Sequence, residues 1–335
     1  MLNQIKQDRL AQFAWFVLAI TLVVILGGGY VSASGSGDGC GDSWPRCGQP
    51  ISLAEAEPAT LVEWTHRLTS GMAFLLVVGL VVWVWRRYEA GHWLRRAAAI
   101  SFLFMVLESL IGALIVLTRL VADSDAVARV VTQPLHLVNT FLLLAALMVT
   151  TWGLSGGGEI RLRSHPQVVR LLLISYIAIL VVGTTGSFAS LASHLFPAES
   201  FAAGVQQDFS PSAPFFVKLR IWHPIAAAIT GLLLVVIANR VAALRPTPHT
   251  LKMRQVVLGL FFTEFGIGVF NAVLNAPLLM QMIHLLMADL FWLAMVWLGA
   301  AALAEVTAPA ATDIAGEPIG YIPDPPGQPS AESGR

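Results

Sequence analysis

The chain has 335 residues, of which 56% are hydrophobic and 12% charged; 20 Lys and Arg balance 20 Asp and Glu, and mean hydropathy is +0.72. Soluble domains are about one quarter charged, so this composition excludes an ordinary soluble protein and points to an integral membrane protein. Zero net charge gives a nucleic-acid partner no electrostatic footing and leaves lipid as the surrounding partner.

Eight apolar runs, at 11–31, 64–85, 97–118, 131–153, 168–188, 216–238, 254–274 and 279–302, are each near the roughly 20 residues that span a bilayer as a helix. They are continuous, whereas a membrane β-barrel would alternate over about 10 residues. The first run has no small-residue cleavage site and is expected to stay as a helix. With the N-terminus placed in the cytoplasm, fourteen Lys and Arg fall on the inner side and six (Arg46, Arg67, Arg119, Arg129, Lys218 and Arg220) on the outer side. The positive-inside bias therefore predicts both termini inside.

The first run ends in Gly27-Gly28-Gly29, which suits a turn or a close backbone approach. The outer loop 32–62 follows. It carries the two cysteines of the chain, in Cys40-Gly41-Asp42-Ser43-Trp44-Pro45-Arg46-Cys47. On an oxidising face a disulfide is expected, as a loop staple or as a redox-active pair beside a buried site. Two cysteines with no nearby His fall short of a zinc site.

The second run opens on Glu63-Trp64-Thr65-His66-Arg67. The third contains Glu108 and Gly112, and the fourth contains His136 and Asn139. The fifth ends in Gly183-Thr184-Thr185-Gly186-Ser187 before an outer loop, 189–214. The sixth opens on Lys218-Leu219-Arg220-Ile221-Trp222-His223-Pro224, the seventh contains Glu264 and Gly268, and the eighth contains His284 and Asp289. Residues 306–335 are rich in Pro, Ala, Gly and Ser and read as a disordered cytoplasmic tail.

Runs one to four match runs five to eight. Gly, Ser or Thr end runs one and five; a His opens runs two and six; Glu-x-x-x-Gly marks runs three and seven; a His opens runs four and eight. Each half has an even number of spans, so the halves are expected to be parallel, related by a pseudo-twofold axis along the membrane normal. The predicted fold is all-α: an N-terminal four-helix half at 1–155 and a C-terminal half at 156–305.

His92, His165, His194 and His249 fall in loops on this reading. His66, His136, His223 and His284 sit inside apolar runs at similar depth. Singly, an intramembrane His can be a helix–helix hydrogen-bonding residue; four, paired by a repeat, point to function. Imidazole is an axial ligand of haem iron, and a four-helix half can hold a porphyrin. His66 with His136, and His223 with His284, would give one bis-histidine site per half. Gly112, Gly268 and the glycines ending runs one and five would supply clearance. Arg67, Arg129, Lys218 and Arg220 are candidates for haem propionates or for snorkelling at the interface. Three residues before the ligand stands Glu63 in one half and Arg220 in the other. A carboxylate there can move a proton or stabilise developing positive charge, so chemistry is expected in the first half and electron transfer in the second. Glu108, Glu264, Asn139 and Asp289 are open between ligand support, proton transfer and core hydrogen bonding.

Over roughly residues 11–302 the chain resembles the haem A synthase family of bacterial membranes. The resemblance rests on Cys40…Cys47 around Asp-x-Trp-Pro, on Glu63-x-x-His66-Arg67, and on His136, His223 and His284. It implies oxidation of a ring methyl of haem O to a formyl group, giving haem A for cytochrome oxidase assembly. It implies haem b on His223 and His284, the substrate haem O at His66 and His136, and a chemical role for Glu63. It places the cysteine pair and both sites toward the outer face of the cell membrane, with haem O handed over by haem O synthase and an electron donor the sequence does not name. Where the family often has Pro-Asp-Trp-Pro, this chain has Gly-Asp-Ser-Trp-Pro, and it has no second cysteine pair after run five. Two other readings are a dihaem b electron-transfer protein acting with quinol and a transporter built on an internal repeat.

Overall fold

The computed structural model describes residues 8–48, 55–121, 124 and 128–305; the tail expected at 306–335 lies outside them. Ten α-helices follow in order: α1 (Arg9–Ala33), α2 (Pro58–Arg87), α3 (Trp93–Leu117), α4 (Ala128–Leu154), α5 (Pro166–Leu195), α6 (Phe201–Asp208), α7 (Phe215–Arg220), α8 (Trp222–Leu244), α9 (Pro248–Val273) and α10 (Leu278–Leu303). Eight segments are long and apolar enough to cross a membrane, with α7 and α8 together forming the sixth. Among the described residues the sole β-type pairing is one isolated bridge, Ile160 to Ala304.

Local chemistry sets the helix ends. Pro58, Pro166 and Pro248 open α2, α5 and α9, where the missing N–H costs nothing. Asp8 caps α1 by accepting from Leu10 N–H at 2.8 Å. The sixth span breaks at Ile221. Pro224 cannot donate to the carbonyl of residue 220, so the helix restarts there.

Neighbours arrange the spans in two rings. In the first, α1 packs on α2, α2 on α3, α3 on α4 and α4 on α1; in the second, α5 packs on α7 and α8, α8 on α9, α9 on α10 and α10 on α5. The rings meet through α1 and α4 on one side and α5 and α10 on the other. Consequently α4 and α10 are the most enclosed spans, each 67% buried over its apolar window. Phe141 stacks on Trp292 at 5.4 Å, and Trp292 Nε1 donates to Phe141 O at 2.7 Å. At Gly29 a side chain would meet Leu285, so glycine brings α1 against α10. Lipid is as apolar as these side chains, so the gain here is close packing and satisfied hydrogen bonds rather than removal from water.

The helices outrun the apolar runs. His194 lies in the last turn of α5 and His249 in the first turn of α9, not in loops. The loop expected at 189–214 is shortened because α5 continues until Pro197 stops it two residues beyond Leu195, and because it holds α6. Arg129 belongs to the first turn of α4 and is 3% exposed.

Candidate functional site

His66, His136 and His223 each stand eight residues beyond the first residue of their span (Pro58, Ala128 and Phe215), and His284 stands six beyond Leu278. At 1.5 Å per residue this is about 12 Å into the span for the first three and about 9 Å for His284. All four begin from the same end of the bundle, so the sites share a level.

Each imidazole lies against a glycine of the preceding span. A methyl group on Gly28 would come 2.9 Å from His66, on Gly186 3.0 Å from His223, on Gly268 3.0 Å from His284 and on Gly112 3.9 Å from His136. The glycines that the sequence marked as clearance for a macrocycle thus give clearance to the rings themselves. Valine at Gly268 must push the His284 ring aside. Were His284 a haem ligand, Gly268→Val would lower haem retention more than about tenfold, as read by the haem-to-protein ratio after purification.

Three of the four Nδ1 atoms have an oxygen close by. Glu264 Oε1 lies 2.9 Å from His284 Nδ1, and Glu108 Oε1 lies 3.4 Å from His136 Nδ1. Neither contact has the alignment of a full hydrogen bond; a small ring rotation would supply it. Glu108 also accepts from Asn139 Nδ2 at 2.6 Å and Thr140 Oγ1 at 2.5 Å. His223 Nδ1 lies 3.3 Å from Val182 O and 3.4 Å from Thr185 Oγ1. His66 Nδ1 is buried without a partner. A His whose Nδ1 faces a carboxylate or carbonyl presents Nε2 as a metal ligand, and the partner raises its basicity. The two glutamates that the sequence left open thus stand behind His136 and His284. Asp289 is fully buried with both oxygens unpartnered.

These residues fit a porphyrin iron. The His223 and His284 rings stand 6.1 Å apart between centroids, 72° between planes. Two metal–imidazole bonds of about 2 Å each, plus the ring radii, fill that gap. A porphyrin, which brings four nitrogens of its own, would be held by His223 and His284.

Glu63 is 3% exposed. Its Oε2 accepts from Cys40 N–H at 2.8 Å; its Oε1 accepts from Arg67 Nε at 3.0 Å and from Arg67 Nη2. Arg67 Nη1 donates to Ser43 O and Arg46 O. The acid and cation of the opening motif together clasp the cysteine loop, and Cys40 and Cys47 are joined as a disulfide. Arg220 occupies the equivalent position in the second half. It donates to Asp208 Oδ1 at 2.8 Å, Gln207 Oε1 at 3.1 Å and Gly204 O at 3.2 Å, and so clasps α6. The residue three before His66 and the residue three before His223 each tether the segment that precedes their own span, with opposite charge in the two. Arg129 donates to Ser124 O, and Lys218 Nζ to Pro211 O. All four propionate candidates therefore have protein acceptors. Asp208 and Thr140 went unmarked in the sequence because nothing about their spacing signals a partner 12 or 32 residues away.

A second strap joins the cysteine loop to the end of α3, where Arg119 Nη2 lies 2.8 Å from Asp42 Oδ2. The guanidinium holds the Asp42 carboxyl below its ordinary 3.8. A depressed carboxylate contributes above its unfolded pKa and is lost as pH falls through the folded value. The strap is thus expected to hold at neutral pH and release below about pH 3.8, or in high salt, as followed by loop mobility in spin-label spectra.

Fold and site define a multi-pass α-helical membrane protein with paired intramembrane histidines. The chain belongs to the COX15-CtaA family of cytochrome oxidase assembly proteins, whose profile matches residues 11–296. A Thermus thermophilus relative named protoheme IX farnesyltransferase is 42% identical over 296 residues, 88% of this chain and 49% of its own. Relatives named heme A synthase are 33% identical over 190 residues in Geobacillus kaustophilus, 52% of this chain and 57% of theirs, and 42% over 92 residues in Bacillus mycoides, 28% and 30%. The chain spans about half the length of the curated relatives it matches.

Proposed function

We propose that this protein is a haem A synthase, an oxidoreductase that converts the ring methyl of haem O to the formyl group of haem A. The carrying observation is the fourfold set of histidines within the apolar spans, each against a glycine, two of them backed by a glutamate. The family and the relatives named heme A synthase support it. The farnesyltransferase name is read as belonging to the part of the Thermus chain beyond the match, because the match covers 49% of it.

On this reading residues 1–155 form the substrate half and residues 156–305 the haem b half, and the pattern of helix neighbours supports a twofold relation between them. The Arg-rich loops face the cytoplasm. His66 and His136 hold haem O, and His223 and His284 hold haem b. A bis-histidine haem supplies one-electron chemistry when bound. Glu108 and Glu264 fix the tautomer and orientation of their histidines. Glu63, through Cys40 N–H and Arg67, holds the cysteine loop over the first site, and its carboxylate is the proton-handling group nearest His66 in sequence. Haem O comes from a farnesyl-transferring enzyme, and the electrons pass to or from a separate partner.

Extraction of the haems from purified protein and identification by mass tests this. The expected result is haem b together with haem O, its hydroxylated form or haem A. Two equivalents of haem b, with quinol-dependent reduction and no farnesylated haem, would instead establish an electron-transfer protein.

A further inference from the structure

A cleft of about 370 Å³ opens between α1 and α2 beside His66. Val23, Gly27 and Tyr30 line it from α1, and Leu61, Thr65 and His66 from α2. Positions 23, 27 and 30 recur at helical spacing and so form one face of α1. Val23 is 62% exposed and Tyr30 40%, so the cleft opens sideways out of the bundle. Where a span faces outward at this depth, its surroundings are lipid. At its inner end the cleft reaches the His66 ring, against which Gly27 and Gly28 also lie.

We propose that this cleft is the seat of the isoprenoid chain of the substrate, and the side door through which that substrate arrives from the bilayer. The inference rests on the reading of His66 as a substrate-haem ligand. A porphyrin held by His66 sits at the inner end, so a long apolar substituent can leave the bundle between α1 and α2 without unpacking the ring of helices. The opposite wall is closed to it: at Gly29, on the far side of α1, the space is filled by Leu285 of α10. The occupant follows from the Thermus relatives: chains named for farnesyl transfer to protohaem match this one over 49% of their length, so the part beyond the match would supply a farnesylated porphyrin to the part that resembles this chain. Such a molecule partitions into lipid, and a lateral opening spares it a passage through water. The cleft would then distinguish haem O from protohaem, which has no chain to fill it.

The test is binding, measured apart from turnover, with purified full-length protein in lipid nanodiscs. Haem O and protohaem are titrated separately into wild type, Val23→Trp and Leu61→Trp. Filling the cleft is expected to weaken haem O binding about tenfold and change protohaem binding by less than about twofold. Equal losses for both haems, or none for either, overturn the proposal. A second arm uses wild type alone: excess farnesol is expected to compete with haem O and to leave protohaem unaffected. Displacement of both or neither overturns it, even where a Trp variant fails to fold. Preferential binding of haem O without its oxidation would sink the proposed function and leave the cleft standing. Oxidation of haem O with no difference between the two haems would do the reverse.

Discussion

Membranes carrying His66→Ala are expected to contain haem b at the wild-type level and no haem A. His66 Nδ1 is buried without a protein partner, and Gly27 and Gly28 leave the ring its space. A buried, unpartnered imidazole costs free energy unless something is bound to it. Disturbing even an outer partner of a ligand typically costs about 10–100-fold in affinity or activity, so loss of the ligand itself is expected to cost more than about a hundredfold. The second ring does not share this side chain: His223 and His284 face each other at 6.1 Å and are braced by Val182 and Glu264. His284→Ala should therefore remove haem b while protein still accumulates. Pyridine haemochrome spectra and mass analysis of extracted haem read both results. Continued haem A formation in His66→Ala would remove the substrate site from this position.

The second large effect is at Glu63. Breaking a buried ion pair from one side costs about 3–5 kcal/mol, because the partner charge is left without compensation. Glu63→Ala leaves Arg67 and Cys40 N–H in that state, with both charged side chains nearly enclosed, at 3% and 10% exposure. The cysteine loop is then expected to detach, and a membrane-impermeant reductant should open Cys40–Cys47 at least about tenfold faster. Glu63→Gln separates structure from chemistry. Its carbonyl can still accept from Cys40 N–H or Arg67, so the disulfide should stay protected. The missing carboxylate should lower haem O conversion about a hundredfold, the lower range of a positioned acid or base. Full activity in Glu63→Gln would make the residue a tether only.

That second prediction differs from what the motif suggested on its own. Glu63 and Arg220 stand at equivalent positions with opposite charge, and the sequence reads the difference as chemistry against electron transfer. The folded chain adds a shared role. Each ties down the segment before its span, Glu63 through Cys40 and through Arg67 to Ser43 and Arg46, Arg220 through Gly204, Gln207 and Asp208. The i to i+4 contact from Glu63 to Arg67 is local and could be anticipated. The loop acceptors could not, because backbone carbonyls carry no residue-type signal.

The eight spans were legible because lipid demands about 20 apolar residues with every backbone group bonded inside the segment, and composition alone reports that. The four histidines were legible because an ionisable side chain stands out in such a segment. The ends of α5, α6 and α9 were not, since a helix continues past its apolar stretch until a proline or a cap stops it. The roles of Glu108 and Glu264 also waited on tertiary structure. Which glutamate meets which imidazole depends on how α3 packs on α4 and α9 on α10. By itself, the sequence determined that the chain has eight membrane-spanning segments and that four of them carry a histidine, since hydropathy and residue type are properties of the chain. Only the tertiary structure decided that each of these histidines rests on a glycine, which acids stand behind two of them, and that a cleft lies beside His66 between α1 and α2, since these depend on contacts between different helices.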